Sequence, residues 1–319
     1  MGEPLLAVRD LAVDYVTARG SVRAVDSVSF EVGAGEIVGL AGESGCGKST
    51  LAQAILRILP PPAVISGGQV WLGSTNLLSL SEEELRQVRW RRLAMVFQSA
   101  MDALNPVITI GEQIVDTLRA HTAVDEAQGR ARAALLLERV GIGPSHLDSY
   151  AHQLSGGMRQ RVGIALALAL EPALVILDEP TTALDVIVER EILEQIRALQ
   201  RRLGFSVLFI THDLGRMLQF SDRIAVFYAA RLVEIGPVGP VGQQPAHPYT
   251  RALLRAFPSL HGEPSGRESI GGSPPSLQQP PTGCRFHPRC PLASPRCRSE
   301  RPELRVVAPD HAVACFATA

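Results

Sequence analysis

The stretch Gly42-Glu43-Ser44-Gly45-Cys46-Gly47-Lys48-Ser49 decides the fold. It fits G-x-x-x-x-G-K-S/T and sits between two apolar runs. Residues 36–41 read as a strand, and residues 48–59 read as a helix stopped by Pro60, Pro61 and Pro62. Glycines let a backbone turn its N–H groups onto phosphates, and the helix N-terminus adds partial positive charge. In such a unit Lys48 reaches the β and γ phosphates of a nucleotide and Ser49 ligates Mg²⁺, while Gly42, Ser44, Gly45, Gly47 and Thr50 shape the cradle. Cys46 is a small residue of the same loop, whose side chain phosphate binding through the backbone does not require.

A second segment completes the chemistry. Val175-Ile176-Leu177-Asp178-Glu179 is an apolar strand ending in two carboxylates. That pairing suits Asp178 as the Mg²⁺-side residue and Glu179 as the general base that activates water. Alone, an acidic pair after a strand is more often a solvated loop or helix cap; alongside the glycine loop it reads as a site. His212 follows the strand at 206–210, at a strand end where such folds place their ligands.

Around these segments the chain reads as α/β. Residues 5–15 and 25–32 form an antiparallel layer joined by a turn at 17–21, with a further strand at 69–72. Ser81 and Glu84 make a capping box, 93–97 is a buried-type strand, and 110–140 is helical by pattern, so 99–155 reads as an inserted helical subdomain. Alternation resumes with a strand at 174–177, a helix at 186–203, a strand at 206–210 and a helix at 214–220. The expected organisation is a nucleotide-binding domain over 1–257, then an extension over 258–319 that opens with a stretch rich in Pro, Gly, Ser and Gln.

The formal charge of −1, from 31 Lys+Arg against 32 Asp+Glu, gives no global attraction to nucleic acid or acidic lipid. The start of the chain lacks the pattern of a signal peptide. Its most apolar stretch, 163–177, is interrupted by Glu171 and Pro172 and falls short of the about 20 residues a membrane span needs. The expectation is a cytoplasmic chain whose membrane role passes through other subunits.

Leu154-Ser155-Gly156-Gly157-Met158-Arg159-Gln160-Arg161 resembles the signature of ABC transporter ATPases, and the resemblance extends over nearly the whole chain. It implies an ABC-type nucleotide-binding domain with an antiparallel β subdomain and a helical subdomain. It also implies that Ser155, Gly156 and Gly157 meet the γ-phosphate of ATP bound by an opposite subunit. By the same resemblance Tyr15 stacks on adenine, Gln98 is the Q-loop glutamine beside Mg²⁺, Thr182-Ala183-Leu184-Asp185 is the D-loop and His212 is the switch histidine. ATP hydrolysis is therefore expected as well as binding.

Within that family the chain is similar to the ATPases of bacterial oligopeptide and dipeptide importers. The resemblance rests on Gly42-Glu43-Ser44-Gly45, on residues 95–110 with Leu104-Asn105-Pro106, on residues 211–215, and on His247-Pro248-Tyr249-Thr250 leading into 251–254. It departs at Ser99-Ala100 and at Gln219-Phe220. The resemblance implies a head-to-tail pair with a second, distinct ATPase on the cytoplasmic face of the membrane. Two permease subunits and an extracytoplasmic substrate-binding protein would complete the importer. Nickel, a glycoside or another solute is the alternative cargo. A soluble ABC ATPase acting on nucleic acid or ribosomes would need basic grooves, coiled-coil insertions or tandem cassettes, none of which the sequence displays.

Cys284, Cys290, Cys297 and Cys315 lie in a Pro- and Arg-rich tail too short for an apolar core of its own. Four thiolates suit an iron–sulfur cluster, and zinc and free or oxidised thiols are the alternatives. Resemblance to peptide-importer ATPases implies a 4Fe–4S site. Arg285, Arg289, Arg296 and Arg298 are expected either to neutralise an anionic cluster or to be solvated.

Overall fold

The structure is a computed structural model that describes residues 3–18, 20–98, 104–182, 184–256 and 270–318. Ser99, Ala100, Ala183, Phe257 and the stretch 258–269 of the expected arm lie outside the described residues. The elements run β1 (Leu6–Thr17), β2 (Gly20–Val32), β3 (Ile37–Ala41), α1 (Lys48–Leu56), β4 (Ala63–Leu72), β5 (Thr75–Asn76), α2 (Glu82–Val88) and β6 (Leu93–Val96). They continue through α3 (Ile110–Arg119), α4 (Glu126–Arg139), α5 (Gly156–Ala167), β7 (Leu174–Asp178), α6 (Val186–Leu203), β8 (Ser206–Ile210) and α7 (Leu214–Phe220). The last are β9 (Arg223–Tyr228), β10 (Arg231–Pro237), α8 (Val238–Gln243), α9 (Pro248–Ala256), α10 (Pro295–Ser299), β11 (Arg305–Ala308) and β12 (His311–Val313). The chain is α/β and forms two compact units, one within residues 1–32, 37–78 and 209–319, the other within 33–36 and 79–208.

In the first unit β1 pairs antiparallel with β2 on one edge and β4 on the other, with β5 beyond β4. Leu6, Leu11, Val13, Val25, Val28 and Val70 are buried along these strands. In the second sheet of this unit β3 runs parallel to β9, β10 is antiparallel to β9, and β12 and β11 extend it antiparallel beyond β10. Every residue of β3 is buried, as a strand covered on both faces requires. The helix after the glycine loop ends at Leu56, three residues before the expected stop. Arg57 takes φ 54 there and returns its N–H to Ala54 and Gln53 carbonyls, turning the chain ahead of the prolines.

The cysteine tail is ordered by joining this unit. Glu234 and Ile235 of β10 pair with Val313 and Ala312 of β12. Phe286 packs with Tyr228, Tyr249, Met217 and Leu253 in one buried cluster, against which Cys284 and Cys290 also lie. Glu234, fully buried, accepts from the Ala246 and His247 N–H groups at 2.7 and 2.9 Å and lies 2.8 Å from His311 Nε2. The Tyr249 N–H donates to His247 Nδ1 at 3.0 Å, and burial pushes the His247 pKa down to about 3, so its ring is a neutral acceptor. The His-Pro-Tyr-Thr sequence is thus the anchored start of α9.

In the second unit β6 and β7 are parallel, with Leu93 opposite Leu174 and Val96 opposite Leu177. The stretch 110–140 that reads as helical divides into α3 and α4. Thr109 with Glu112 and Asp125 with Gln128 form two separate capping boxes, so a second helix start lies inside the apolar pattern. No helix among the described residues is long and apolar enough to cross a membrane.

Candidate functional site

In the first unit the loop after β3 is shaped as its glycines demand. Gly42, Gly45 and Gly47 take φ 150, 75 and 112, in the left-handed half of backbone space. A Cβ on Gly42 would stand 2.1 Å from the Phe227 carbonyl oxygen, and one on Gly47 2.1 Å from that of Ala24. Both glycines are therefore required by packing as well as by φ. Lys48 begins α1 and folds back on its own loop, donating Nζ to the Gly42 and Glu43 carbonyls at 2.7 and 3.0 Å and to Cys46 Sγ at 3.7 Å. Cys46 is buried, and burial pushes its thiol pKa upward. Ser49 and Thr50 follow in the first turn of α1, where Thr50 Oγ1 meets the half-buried Tyr15 hydroxyl of β1 at 3.3 Å. His212 is exposed beyond β8, next to Asp213, which caps α7 by accepting from the Arg216 N–H at 3.0 Å.

In the second unit the two parallel strands deliver their residues to one end. Gln98 lies just past β6 and Glu179 just past β7, and the register of these strands brings them together. Gln98 Nε2 donates to Glu179 Oε2 at 3.0 Å, and Thr182 Oγ1 donates to the same oxygen at 3.0 Å. Glu179 itself takes φ 46, an uncommon conformation for a residue with a side chain. Its neighbour Asp178, last residue of β7, is 3% exposed. Glu179 is partly buried, so the carboxylate held by two donors keeps access to solvent.

The signature segment opens α5. Ser155 is its N-cap, accepting from the Met158 N–H at 3.3 Å, and no acidic side chain occupies the first turn to neutralise the helix end. Gly157 has no room for a side chain, since a Cβ would stand 2.7 Å from Val188 of α6. Ser155, Gly156, Gly157, Leu184 and Asp185 line one cleft of about 510 Å³ in this unit. Asp185 has a second use there: its carboxylate caps α6, accepting from the Ile187 and Val188 N–H groups at 3.1 and 3.0 Å.

The four tail cysteines line one small cavity together with His247, His287 and Phe316. Its volume is about 10 Å³, room for one water. Cys284 N–H donates to the Cys297 carbonyl at 2.9 Å, and no cysteine forms a disulfide. Burial pushes the Cys284 thiol up to about 11, the neighbouring thiols adding to it, and Cys290 moves the same way. No three His, Cys, Asp or Glu groups among the described residues converge closely enough to hold one metal ion. Tetrahedral zinc would require sulfurs about 3.8 Å apart, so the zinc alternative finds no ready site. The iron–sulfur expectation likewise finds no formed metal site among the described residues. Arg285 and Arg289 turn away from the thiols: they are buried partners of Asp26 and Glu43, and neither expectation for them holds.

Sequence reasoning missed three contributors. Gln113 of α3 pins the Leu104-Asn105-Pro106 loop by accepting from the Asn105 N–H at 2.9 Å and donating to its carbonyl at 3.1 Å. Tyr249 and Arg289 meet the glycine loop at Glu43. A buried glutamine on an apolar helix face was a readable signal for the first; nothing local marks the other two.

Comparison with known proteins agrees with this geometry. The family model described as "ABC transporter" matches residues 25–182, and that described as "Oligopeptide/dipeptide transporter, C-terminal region" matches residues 233–297. The chain is 45% identical to the "Probable peptide ABC transporter ATP-binding protein" of Sinorhizobium fredii, over 98% of this chain and 94% of that protein. It is 42% identical to the dipeptide transport ATP-binding protein DppD of Bacillus subtilis, over 98% of this chain and 95% of that one. The ATP-binding cassette MJ0796, solved as a post-hydrolysis dimer with ADP and Pi, superposes with a TM-score of 0.66 at 26% identity, covering 73% of this chain and 98% of the cassette.

Proposed function

The chain belongs to the ATP-binding subunits of ABC transporters, and from that premise we propose that it hydrolyses ATP to drive bacterial import of oligopeptides and dipeptides. The observation that carries the chemistry is Glu179, held by Gln98 and Thr182 at the end of a buried strand and still open to solvent. In this reading Glu179 takes the proton of a water that attacks the γ-phosphorus as the bond to ADP breaks. Lys48 leaves its loop carbonyls for the phosphates, and the glycine loop binds them through its N–H groups. Mg²⁺, held by Ser49, Asp178 and Gln98, would offset the phosphate charge. Tyr15 receives the adenine, and His212 meets the γ-phosphate side.

The signature cleft supports pairing with a second cassette. No acidic side chain offsets its helix end within the first turn, and Val186 and Ile187, 70% and 72% exposed, stand beside Asp185 at its border. We assign that partner as a related, distinct ATPase, with two permeases and an extracytoplasmic substrate-binding protein completing an assembly on the cytoplasmic face of the membrane. Peptide cargo is supported by the C-terminal family match and the named relatives. The four cysteines, as thiolates, have the chemistry to hold a 4Fe–4S cluster, which would cross-link the tail and would have to displace protons that burial favours.

Two experiments test this. Purified chain should show Mg²⁺-dependent ATPase activity that Glu179→Gln abolishes while ATP binding persists; loss of binding with it would remove Glu179 from the chemical step. Affinity purification from solubilised membranes under anaerobic conditions should recover permeases and a second ATPase, with iron and sulfide lost on replacing the four cysteines by serine. Recovery with ribosomal or DNA-bound proteins alone would refute transport.

A further inference from the structure

Glu43, the second residue of the phosphate loop, is gripped by the C-terminal part of the chain. Arg289 Nη1 donates to its Oε2 at 2.8 Å and Nη2 to its Oε1 at 3.0 Å, a two-pronged pairing. The Arg289 side chain is 5% exposed and that of Glu43 21%. Arg289 is itself fixed, donating to Tyr228 Oη at 3.3 Å and to the Gly271 and Ile270 carbonyls at 2.8 and 3.2 Å. The Glu43 N–H donates to Tyr249 Oη at 3.0 Å. Tyr249 is buried against Tyr228 and Phe286, with ring centroids 4.4 and 5.4 Å away. A second route reaches the same loop: Arg285 donates to the Ala229 carbonyl, and the Ala230 N–H donates to the Cys46 carbonyl at 2.8 Å.

This placement has an electrostatic logic. A carboxylate in a loop built to bind polyphosphate repels its ligand and competes for the loop's cationic donors. The fork of Arg289 neutralises that charge and points it away, while the Tyr249 hydroxyl engages the Glu43 N–H. We infer that Arg289 and Tyr249 are positioning residues for nucleotide binding, so that the C-terminal extension is a working part of the phosphate site. The inference rests on the reading of residues 42–49 as an ATP site.

The test measures the Kd of the full-length chain for Mg-ATP by titration calorimetry, with melting temperature recorded in parallel. Arg289→Gln should raise Kd about tenfold, the effect of losing one charged, sheltered hydrogen-bonded pair. Arg289→Lys should recover only part, because an ammonium cannot fork. Adding Glu43→Gln to Arg289→Gln should restore most of the affinity, since the repelling carboxylate is then gone. Tyr249→Phe keeps the ring packing and should weaken binding a few-fold; it decides the case if Arg289→Gln is insoluble. The inference is overturned if Arg289→Gln lowers the melting temperature but leaves Kd within about twofold of wild type, if the double variant binds no better than the single one, or if Tyr249→Phe binds as wild type does. Should wild type bind ATP no better than Lys48→Ala, the ATP-site reading falls first and takes the inference with it.

Discussion

Replacing Asp26 by Asn should destabilise the first unit more than any exposed charge change. Asp26 Oδ2 accepts from Arg231 Nε and from Arg285 Nη2, both at 2.7 Å. Arg23 and Arg301 stand farther off, at 3.8 and 3.7 Å, and are 40% and 42% exposed, so solvent screens them and they contribute little. The cost lies with Arg285, whose side chain is 6% exposed and whose guanidinium burial already drives down to about 10. Leaving it beside a neutral amide costs about 3–5 kcal/mol, a fall in melting temperature of about 10 °C for a unit of this size. Removing both charges in Asp26→Asn with Arg285→Met should recover most of the loss, because the buried orphan is then gone. The pH dependence has a definite sign. Burial raises the Asp26 pKa, but the Arg231 hydrogen bond and the charges of Arg231, Arg285 and Arg301 outweigh it and hold it below the ordinary 3.8. Its contribution is therefore complete above about pH 4 and is lost as pH falls through the lower folded value. Thermal unfolding followed by circular dichroism from pH 3 to 8 should show a constant penalty for Asp26→Asn above about pH 5 that shrinks toward pH 3. A penalty under about 1 kcal/mol at neutral pH, or a double variant no more stable than the single one, would refute the reasoning.

Glu179→Gln should lower kcat by about 10²–10⁴, with Mg-ATP affinity close to wild type by equilibrium binding. Gly47→Ala should abolish ATP binding in the same titration, since its Cβ would stand 2.1 Å from the Ala24 carbonyl at φ 112. Asp185→Ala removes the cap of α6 and should cost about 1 kcal/mol, read as a lower melting temperature. Gln113→Leu should loosen the loop at 104–108 by stripping the Asn105 N–H of its acceptor, visible as faster amide exchange there and costing about 1–3 kcal/mol.

Much of the fold was legible because its signals are local. The glycine loop, the all-buried strands β3 and β7, the capping box at Ser81 and the signature turn at Ser155 each depend on residues within a few positions of one another. The same locality explains the errors. Helix patterns merged across 120–125 because apolar periodicity continues through the break that Asp125 creates. β9 and β10 went unplaced although Arg223–Tyr228 is an apolar run followed by Ala229 and Ala230, which turn with positive φ that their sequence does not advertise. The tail read as lacking a core and drew one from elsewhere, through Phe286 and the β10–β12 pairing.

By itself the sequence determined the family, the glycine loop ahead of α1 and the carboxylate pair at the end of β7, since backbone shape and strand ends depend on residue type at short spacing. Only the tertiary structure decided which charges meet. Glu43 finds Arg289 from 246 positions away and Asp26 finds Arg285 from 259, a choice among 31 cationic side chains that spacing cannot make. It is made by the aromatic cluster of Tyr228, Tyr249 and Phe286, whose burial fixes where the cysteine turn lies and so which arginines reach the loop.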